Sequence, residues 1–355
     1  MNRGSLADLL LPADGLGRVE ARGVPTKSGR SYALVGGDEP GSFKAEQIEL
    51  KPQMPAAEAF QTVARACIRQ FRLNEPMLIA RRSAEPLHQA RVAMRRLRSA
   101  LSLFKPVVAD QEYERFKRGL RDLSHKLGEA RDLDVYIARS TVSNVGENGG
   151  FPPLALERAG RVQSERDRAY QRVISALQSK HFRLLMHNFG IWIDAGPWCS
   201  LDEPKRQAAR NQTILDFATH ILKLRWRKLK HRGRHLDRLS SEEHHRIRID
   251  AKKMRYASEF LSSLMSDPRH RRRHKMFIVA LESLQTRLGD LNDVQTEHVI
   301  VARLARSGAT AAGRSDAGHV AAGHRGEQKE RMAALLGLAV EAHRQLLNAR
   351  PFWKR

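Results

Sequence analysis

The feature that most constrains this 355-residue chain is a basic segment that occurs twice. The first copy, HQARVAMRRLR, covers residues 88 to 98 and reads H-x-x-R-V-x-x-R-R-L-R. The second copy covers residues 245 to 255, reads H-x-x-R-I-x-x-K-K-M-R and begins 157 positions later (245 − 88 = 157). Because residue types agree as well as charges, the two copies predict an internal duplication.

A second pair of segments follows the basic pair in the same order. LSHKLGEARDLD (123 to 134) is matched by LQTRLGDLNDVQ (284 to 295), which begins 161 positions later (284 − 123 = 161). The matched positions are Leu123 with Leu284, Lys126 with Arg287, Leu127 with Leu288, Gly128 with Gly289, and Asp132 with Asp293. Each copy precedes a loop (140 to 153 and 307 to 324) and a long final helix. The preserved order predicts two copies of a four-helix unit.

The chain beyond Pro55 has the texture of a helical protein. It is rich in Ala, Leu, Arg, Glu and Gln, with apolar residues three and four positions apart, so we expect long helices and almost no sheet. Residues 1 to 50 hold eight of the 24 glycines and predict one or two weak strands or an irregular arm. Helix breaks are expected at Pro86, at Pro106 and at 143 to 153, 196 to 204, 267 to 268 and 307 to 318, giving about eight helical blocks.

The charge balance indicates a polyanionic partner. Lys and Arg total 63 against 39 Asp and Glu, a formal charge of +24 that lies entirely beyond residue 50. Nucleic acid, an anionic membrane and an inorganic phosphate polymer all fit this excess. Cys67 and Cys199 are the only cysteines and have no metal-ligand spacing, and no 18-residue apolar stretch occurs. These features predict a soluble cytoplasmic protein.

The basic segments form stripes on their helices. His88, Arg91, Arg95 and Arg98, here called the first stripe, fall within an arc of about 80° and span roughly 15 Å. Their counterparts, called the second stripe, are His245, Arg248, Lys252 and Arg255. Arg96 and Lys253 point away from these arcs. Apolar residues occupy the adjoining arc, so each stripe is expected to border a bundle core.

A solvated basic helix face is the alternative interpretation of each stripe. Between Pro86 and Ala109, however, no Asp or Glu relieves the repulsion, although like charges three or four positions apart destabilise a helix by a few tenths of a kcal/mol per pair. The histidine and the residue order also recur in the second copy. Long side chains beside an apolar stripe lose less entropy when they grip an anion. Anion binding is therefore the favoured interpretation.

These motifs resemble the conserved histidine α-helical (CHAD) domain. The resemblance is carried by five ordered segments across residues 51 to 355: LHQARVAMRRLRSALSLF (87 to 104), LGEARDLDVYI (127 to 137), HHRIRIDAKKMRYASEF (244 to 260), LGDLNDV (288 to 294) and ARPFW (349 to 353). It implies an all-α fold of two pseudo-twofold-related four-helix bundles, residues 51 to 198 and 199 to 355, with a basic groove or pore between them. It also implies that both stripes bind inorganic polyphosphate and that the protein associates with polyphosphate granules.

Residues 26 to 50 resemble the exit segment of a CYTH-type triphosphatase domain, which often precedes a CHAD domain. Too few residues lie before Pro52 to build the triphosphatase tunnel, and its E-x-E-x-K signature is missing. The arm, residues 1 to 50, is therefore a remnant at most, and no catalysis of that kind is expected.

Several residues outside the stripes are weaker candidates. Five further cations are secondary polyphosphate-binding candidates: Lys126, Arg287, Arg131, Lys228 and Arg232. Asp132, Asp134 and Asp293 are expected to cap a helix or orient an arginine. The pair His270 and His274 has i,i+4 spacing for a metal, but the surrounding arginines favour a surface run that contacts phosphate. Phe352 and Trp353 are assigned a structural role.

The leading functional hypothesis is non-catalytic binding of inorganic polyphosphate, with no cofactor, metal or membrane involved and with granule proteins as further candidate partners. The alternative is a nucleic-acid-binding or general polyanion-binding protein. The stripes carry no aromatic residue for base stacking, so nucleic acid is expected only as a non-specific competitor. A phosphohydrolase or polyphosphate kinase is disfavoured because the chain lacks a P-loop, an H-E-x-x-H motif and a nucleophile with a base.

Overall fold

A computed structural model describes residues 41–143, 153–265, 267–307 and 317–353. Most of the predicted N-terminal arm lies outside these ranges, as do residues 144–152 and 308–316 of the two predicted loops. The described residues of those loops are helical, so the second loop is shorter than predicted: residues 317–324 already belong to the last helix. No strand occurs in the described part of the chain, where one isolated antiparallel bridge joins Pro55 and Thr213. The predicted all-α fold is confirmed.

Eleven α-helices account for most of the described residues. They are α1 Ala56–Arg81, α2 Ala84–Leu103, α3 Lys105–Val108, α4 Tyr113–Ser143, α5 Pro153–Gln178, α6 Lys180–Ala195, α7 Pro204–Asn211, α8 Ile214–Arg232, α9 Ser241–Phe260, α10 Pro268–Ser307 and α11 Ala317–Asn348. Short 3₁₀ turns lie at Pro197–Cys199, Leu236–Arg238 and Ser262–Leu264.

The predicted breaks lie at or near helix ends except at Pro86, and breaks that were not predicted lie at 109–112, at Ser179, at 212–213 and at 233–240. The break before α2 lies at Arg82 and Ser83, where Arg82 adopts a positive φ of 47°. Pro86 instead lies within the first turn of α2, where its missing N–H leaves no intrahelical hydrogen bond unmade. Pro76 lies inside α1 without ending it. A proline in the sequence therefore indicates a helix end only when local packing supports one.

The chain divides into two compact units. The first comprises Met1–Gln47, Phe60–Gly150 and Gln163–Gln207, and the second Ile48–Ala59, Phe151–Val162 and Ala208–Arg355, as far as their residues are described. The bounds of α2 and α9 differ by the same 157 positions as the stripes, from Ala84 to Ser241 and from Leu103 to Phe260. The predicted duplication remains a prediction, and this agreement supports it.

An aromatic cluster anchors the first unit. Phe60 lies 5.5 Å from Trp198 and 6.0 Å from Trp192, measured between ring centroids. Asp110 joins this cluster to the start of α4: its Oδ2 accepts hydrogen bonds from Trp192 Nε1 (2.8 Å) and the Trp198 amide (3.2 Å), while its Oδ1 accepts from the Tyr113 amide (2.9 Å). One carboxylate thus fixes the direction in which α4 leaves the aromatic core.

The second unit has its own aromatic cluster at the end of the chain. Trp353 lies 5.2 Å from Phe277 and 6.4 Å from Trp226, and Phe352 lies 4.7 Å from His274, measured between ring centroids. Phe352 is fully buried. The structure therefore places the two terminal aromatic residues in the core, where their burial favours folding.

Candidate anion-binding surfaces

The first stripe is the accessible face of a helix that is otherwise enclosed. From Pro86 to Leu103, twelve residues of α2 are buried. Six residues are partly exposed: His88, Arg91, Val92, Arg95, Arg98 and Ser102. All four predicted residues of the first stripe belong to this set. The packing of α2 therefore leaves little but the stripe in contact with water.

The second stripe has the same arrangement on α9. Ile247, Ala251 and Met254 are buried, whereas His245 is exposed. The other three members of the second stripe, Arg248, Lys252 and Arg255, are partly exposed. Each unit therefore presents one row of basic residues beside its core, as the helical periodicity predicts.

The arginine side chains of the stripes are held by packing along their stems. The Nε atoms of Arg95, Arg248 and Arg255 are buried, although each of these residues is partly exposed. The guanidinium groups are therefore held at the surface by buried stems. Such ordering reduces the conformational entropy that is lost when an anion binds.

The first arginine of each stripe lies over a glycine of the neighbouring helix. A Cβ atom added to Gly128 on α4 would lie 3.5 Å from Arg91 Nη2, and one added to Gly289 on α10 would lie 3.9 Å from Arg248 Nη2. Arg91 Nη2 also lies 3.7 Å from Asp132 Oδ1. The glycines of the repeated Leu-Gly motif thus leave room for the guanidinium groups, and Asp132 lies where it can orient Arg91.

Additional arginines lie at both ends of the first stripe. Burial is the largest cause that lowers the pKa of His88, and the charge of the nearby Arg131 on α4 is the second largest. The pKa of Arg98 is lowered by burial and then by the charge of Arg121 on α4. Among the described residues, no ion pair includes Arg98, Arg121 or Arg131. The first unit therefore carries concentrated positive charge.

The second stripe ends differently. His245 Nδ1 lies 3.1 Å from Oδ1 of Asn292. Asn292 is the residue that corresponds to Arg131 in the first unit. Arg255 Nη1 lies 3.2 Å from Glu282 Oε1 and 3.6 Å from Glu259 Oε1. Burial lowers the pKa of Arg255, but Glu259, Tyr256 and Glu282 together outweigh it, so the net shift is upward. The second unit thus neutralises part of its own stripe.

Arg96 and Lys253 lie off the stripes, as predicted. Arg96 is only 5% exposed and donates to Gln70 Oε1 at 3.0 Å, and Gln70 in turn donates to Gln89 at 3.4 Å. Burial lowers the pKa of Lys253, which lies among the charges of Asp250 and the α8 cations. Both residues take part in contacts within their own units.

The secondary candidates occupy different surroundings. Lys126 is partly exposed on α4, and Arg287 lies 3.8 Å from Asp290 on its own helix. Lys228 and Arg232 instead contact Asp250, at 3.5 Å and 2.6 Å. Asp250 follows Arg248 by two positions, about 200° around the helix. The structure therefore brings Arg131 to the first stripe but places Lys228 and Arg232 away from the second.

Two further predicted features have structural roles here. Asp134 is buried and accepts hydrogen bonds from Arg166 Nε (2.7 Å) and the Tyr170 hydroxyl (2.8 Å). The expected surface phosphate run is wrong for His274, which is partly buried, lies 3.0 Å from the Ser258 carbonyl through Nε2 and packs on Phe352. Because that ring completes a core, it does not face a ligand.

Sequence periodicity alone did not identify Arg121. It lies 23 positions after Arg98 (121 − 98 = 23), and only the packing of α4 on α2 brings the two together. The repeat could have identified this position, because an alignment of the two copies places Glu282 opposite Arg121, 161 positions later (282 − 121 = 161).

Within the described residues, no group of three His, Cys, Asp or Glu side chains is arranged to hold a metal, and every helix is too short or too polar to span a bilayer.

Comparison with known proteins identifies the family. The CHAD domain model matches residues 62–302. The crystal structure of the CHAD domain from the plant Ricinus communis aligns with a TM-score of 0.70 and 27% identity, covering 87% of this chain and 97% of that chain. PptA from Streptomyces chartreusis shares the fold, with a TM-score of 0.51, 16% identity and coverage of 84% and 97%. No curated protein matches the chain. Because the CHAD model matches more than half of its residues, the chain belongs to the CHAD domain family.

Proposed function

We propose that this protein binds inorganic polyphosphate through the first and second stripes and that it has no catalytic role. The observation that supports this proposal most strongly is the exposure pattern of α2. Twelve residues between Pro86 and Leu103 are buried, and His88 and the three arginines of the first stripe are among the six that are not. Within this stretch the charged side chains that reach the surface are all arginines, and such a surface is suited to a partner made of repeated negative charges.

Linear polyphosphate matches the chemistry of the stripes. It offers about one negative charge per phosphate and no base or sugar to recognise. A guanidinium can donate two parallel hydrogen bonds to one phosphate, and such charge-assisted bonds are about twice as strong as neutral ones. Lys252 occupies the position of Arg95 in the second stripe. Its ammonium group cannot donate two parallel hydrogen bonds to one phosphate as a guanidinium can, so the second stripe binds phosphate with less directionality.

The surroundings of the stripes favour polyphosphate over nucleic acid. Beside the stripe residues, α2 also presents Val92 and Ser102 to solvent, and α9 presents Ile249 and Glu259 at the matching positions. None of them is aromatic, and single-stranded nucleic acids are held largely by stacking on aromatic rings, at about 1–3 kcal/mol per base. Nucleic acid is therefore proposed as a non-specific competitor only.

Binding without turnover is the activity that we propose. Near the stripes, Asp132 contacts Arg91, and Glu259 and Glu282 contact Arg255. These carboxylates are thus engaged with arginines instead of converging on a position where a phosphate would be cleaved. We further propose that polyphosphate binding directs the protein to polyphosphate granules in the cytoplasm, where granule proteins are candidate partners.

A competition titration tests this proposal. Long polyphosphate should displace labelled RNA from the full chain at a phosphate concentration at least about tenfold below that at which RNA displaces labelled polyphosphate. Equal competition would instead identify a general polyanion-binding protein. In the same samples, release of phosphate with Mg²⁺ or Mn²⁺ present should stay at the level of a protein-free control, and release above it would overturn the non-catalytic assignment.

A further inference from the structure

The two units arrange the helix beside each stripe in the same register. Gly128 lies against Arg91, and Gly289 lies against Arg248. The same register places Arg121 beside Arg98 and Glu282 beside Arg255. The positions are therefore equivalent in the two units, and their side chains can be compared one to one.

Three of these equivalent positions differ in charge. Arg121, Arg131 and Ser102 flank the first stripe, and their counterparts beside the second are Glu282, Asn292 and Glu259. Two arginines are thus replaced by one glutamate and one neutral amide, and a serine is replaced by a second glutamate. At these three positions the first unit is more positive by four charges.

The second unit also uses these residues to bind its own stripe. Glu282 and Glu259 lie 3.2 Å and 3.6 Å from Arg255 Nη1. Asn292 Oδ1 lies 3.1 Å from His245 Nδ1. A phosphate that approached either end of the second stripe would therefore meet a side chain that already has a partner. At the first stripe, Arg98, Arg121 and Arg131 take part in no ion pair among the described residues.

We infer that the phosphate chain is held mainly by the first unit, where Arg121 and Arg131 are additional binding residues at the two ends of the first stripe. This inference rests on the proposed function. Arg121 is exposed and Arg131 partly exposed, so both can reach a bound chain. Their charges repel those of the stripe in the free protein, and phosphates bound among them relieve that repulsion. The second stripe is the weaker contact because its own carboxylates compete with the ligand.

The test measures the affinity of the full chain for polyphosphate of one defined length. R121Q/R131Q should weaken binding about tenfold or more, because two charge-assisted contacts are lost. It should also reduce the salt dependence of binding by about one to two phosphate contacts. The matched control, K180Q/R183Q, removes two exposed cations of α6 in the same unit and should change the affinity by less than about threefold.

Two further variants compare equivalent positions. R98Q should weaken binding more than R255Q, and E259Q/E282Q should tighten binding by releasing Arg255. Without ligand, R121Q/R131Q should unfold at the same temperature as the unmodified chain or higher, since it removes repulsion. An affinity for R121Q/R131Q equal to that of K180Q/R183Q, or equal losses for R98Q and R255Q, would overturn the inference. Failure of the unmodified chain to bind polyphosphate would overturn the proposed function instead.

Discussion

Arg255 donates a hydrogen bond from α9 to Glu282 on α10, with 3.2 Å between Nη1 and Oε1. At the equivalent place in the first unit, Arg98 faces Arg121, and no carboxylate pairs with either among the described residues. Net pKa shifts follow this difference: upward for Arg255, and downward for Arg98. One repeated helix position therefore has opposite electrostatic surroundings in the two units. A search for matching residues does not find this difference, because the two neighbouring residues, Arg121 and Glu282, do not match.

The space above Gly128 is predicted to be required for anion binding. A Cβ atom there would make ordinary contact with Arg91 Nη2 at 3.5 Å, so Gly128→Ala should be tolerated. Gly128→Leu should displace the guanidinium and weaken polyphosphate binding about fivefold or more. The measurement is equilibrium binding of each variant.

Gly160 offers the control for this substitution. It is an exposed helical glycine, and a Cβ atom added to it would meet nothing within 4 Å. Gly160→Leu should therefore leave the affinity unchanged and improve helix propensity by about 0.5–1 kcal/mol. Equal effects of Gly128→Leu and Gly160→Leu on binding would show that Arg91 does not need its position above Gly128.

Binding is predicted to strengthen as pH falls because of His88. Burial lowers the pKa of His88, as do the charges of Arg131, Arg95 and Arg91, while Glu85 opposes them. Bound phosphates offset those arginines and raise the pKa, so the complex takes up a proton. The gain in affinity should therefore develop as pH falls through the bound-state pKa, and cease below the depressed pKa of the free protein.

The measurement is polyphosphate affinity between about pH 8 and pH 5 at constant ionic strength. The His88→Gln variant should show a flatter profile than the unmodified chain. His181→Gln, which changes an exposed histidine of α6, serves as the control and should keep the full pH dependence. A His88→Gln profile parallel to that of the unmodified chain would exclude His88 as the source.

Asp110 is predicted to stabilise the first unit. Asp110→Ala removes the acceptor of Trp192 Nε1 and Trp198 N, and also the cap of α4. The loss of a cap and of hydrogen bonds in a partly buried site should lower the free energy of unfolding by about 2–4 kcal/mol. Urea unfolding measures this change. Asp122→Ala on the exposed side of α4 should change it by less than about 0.5 kcal/mol, and an equal loss in both variants would contradict this role.

Asp250 is predicted to stabilise the second unit by balancing a cluster of cations. It is 8% exposed and contacts Arg232 at 2.6 Å and Lys228 at 3.5 Å. Burial lowers the pKa of Arg225 to about 10 even though Asp250 opposes this shift. Asp250→Ala leaves these cations unbalanced and should lower the free energy of unfolding by about 1–3 kcal/mol, because the two contacting cations are about half exposed and water screens their charges.

The exposed pair of Asp237 and Arg238 provides the control, because Asp237→Ala should cost at most about 1 kcal/mol. Arg232→Gln should likewise lower the unfolding temperature more than it changes polyphosphate affinity. A large loss of affinity with unchanged stability would assign Arg232 to the binding site.

The sequence predicted the stripes well because helical periodicity determines them locally. The spacing of His88, Arg91, Arg95 and Arg98 places them on one arc whatever the helix packs against, and the apolar arc beside them determines which face is buried. The repeated glycines were also visible, although their role became clear only when Arg91 was found above Gly128.

Contacts between distant helices could not be predicted in the same way. Lys228 and Arg232 resemble free surface cations in the sequence, and only the packing of α8 on α9 brings them to Asp250. His274 lies within a run of arginines, yet Phe352, 78 positions later (352 − 274 = 78), covers its ring. These pairings depend on tertiary register, which the charge pattern of a single helix does not specify.

The most direct test of polyphosphate binding by the stripes is a comparison of two double charge reversals. R91E/R248E changes the first arginine of each stripe, and R183E/R227E makes the same change in net charge at exposed positions of α6 and α8. With helicity equal by circular dichroism, R91E/R248E should bind polyphosphate about a hundredfold more weakly than the unmodified chain. R183E/R227E should stay within about threefold of it. Equal affinity of the two variants would contradict the assignment of the binding surface to the stripes.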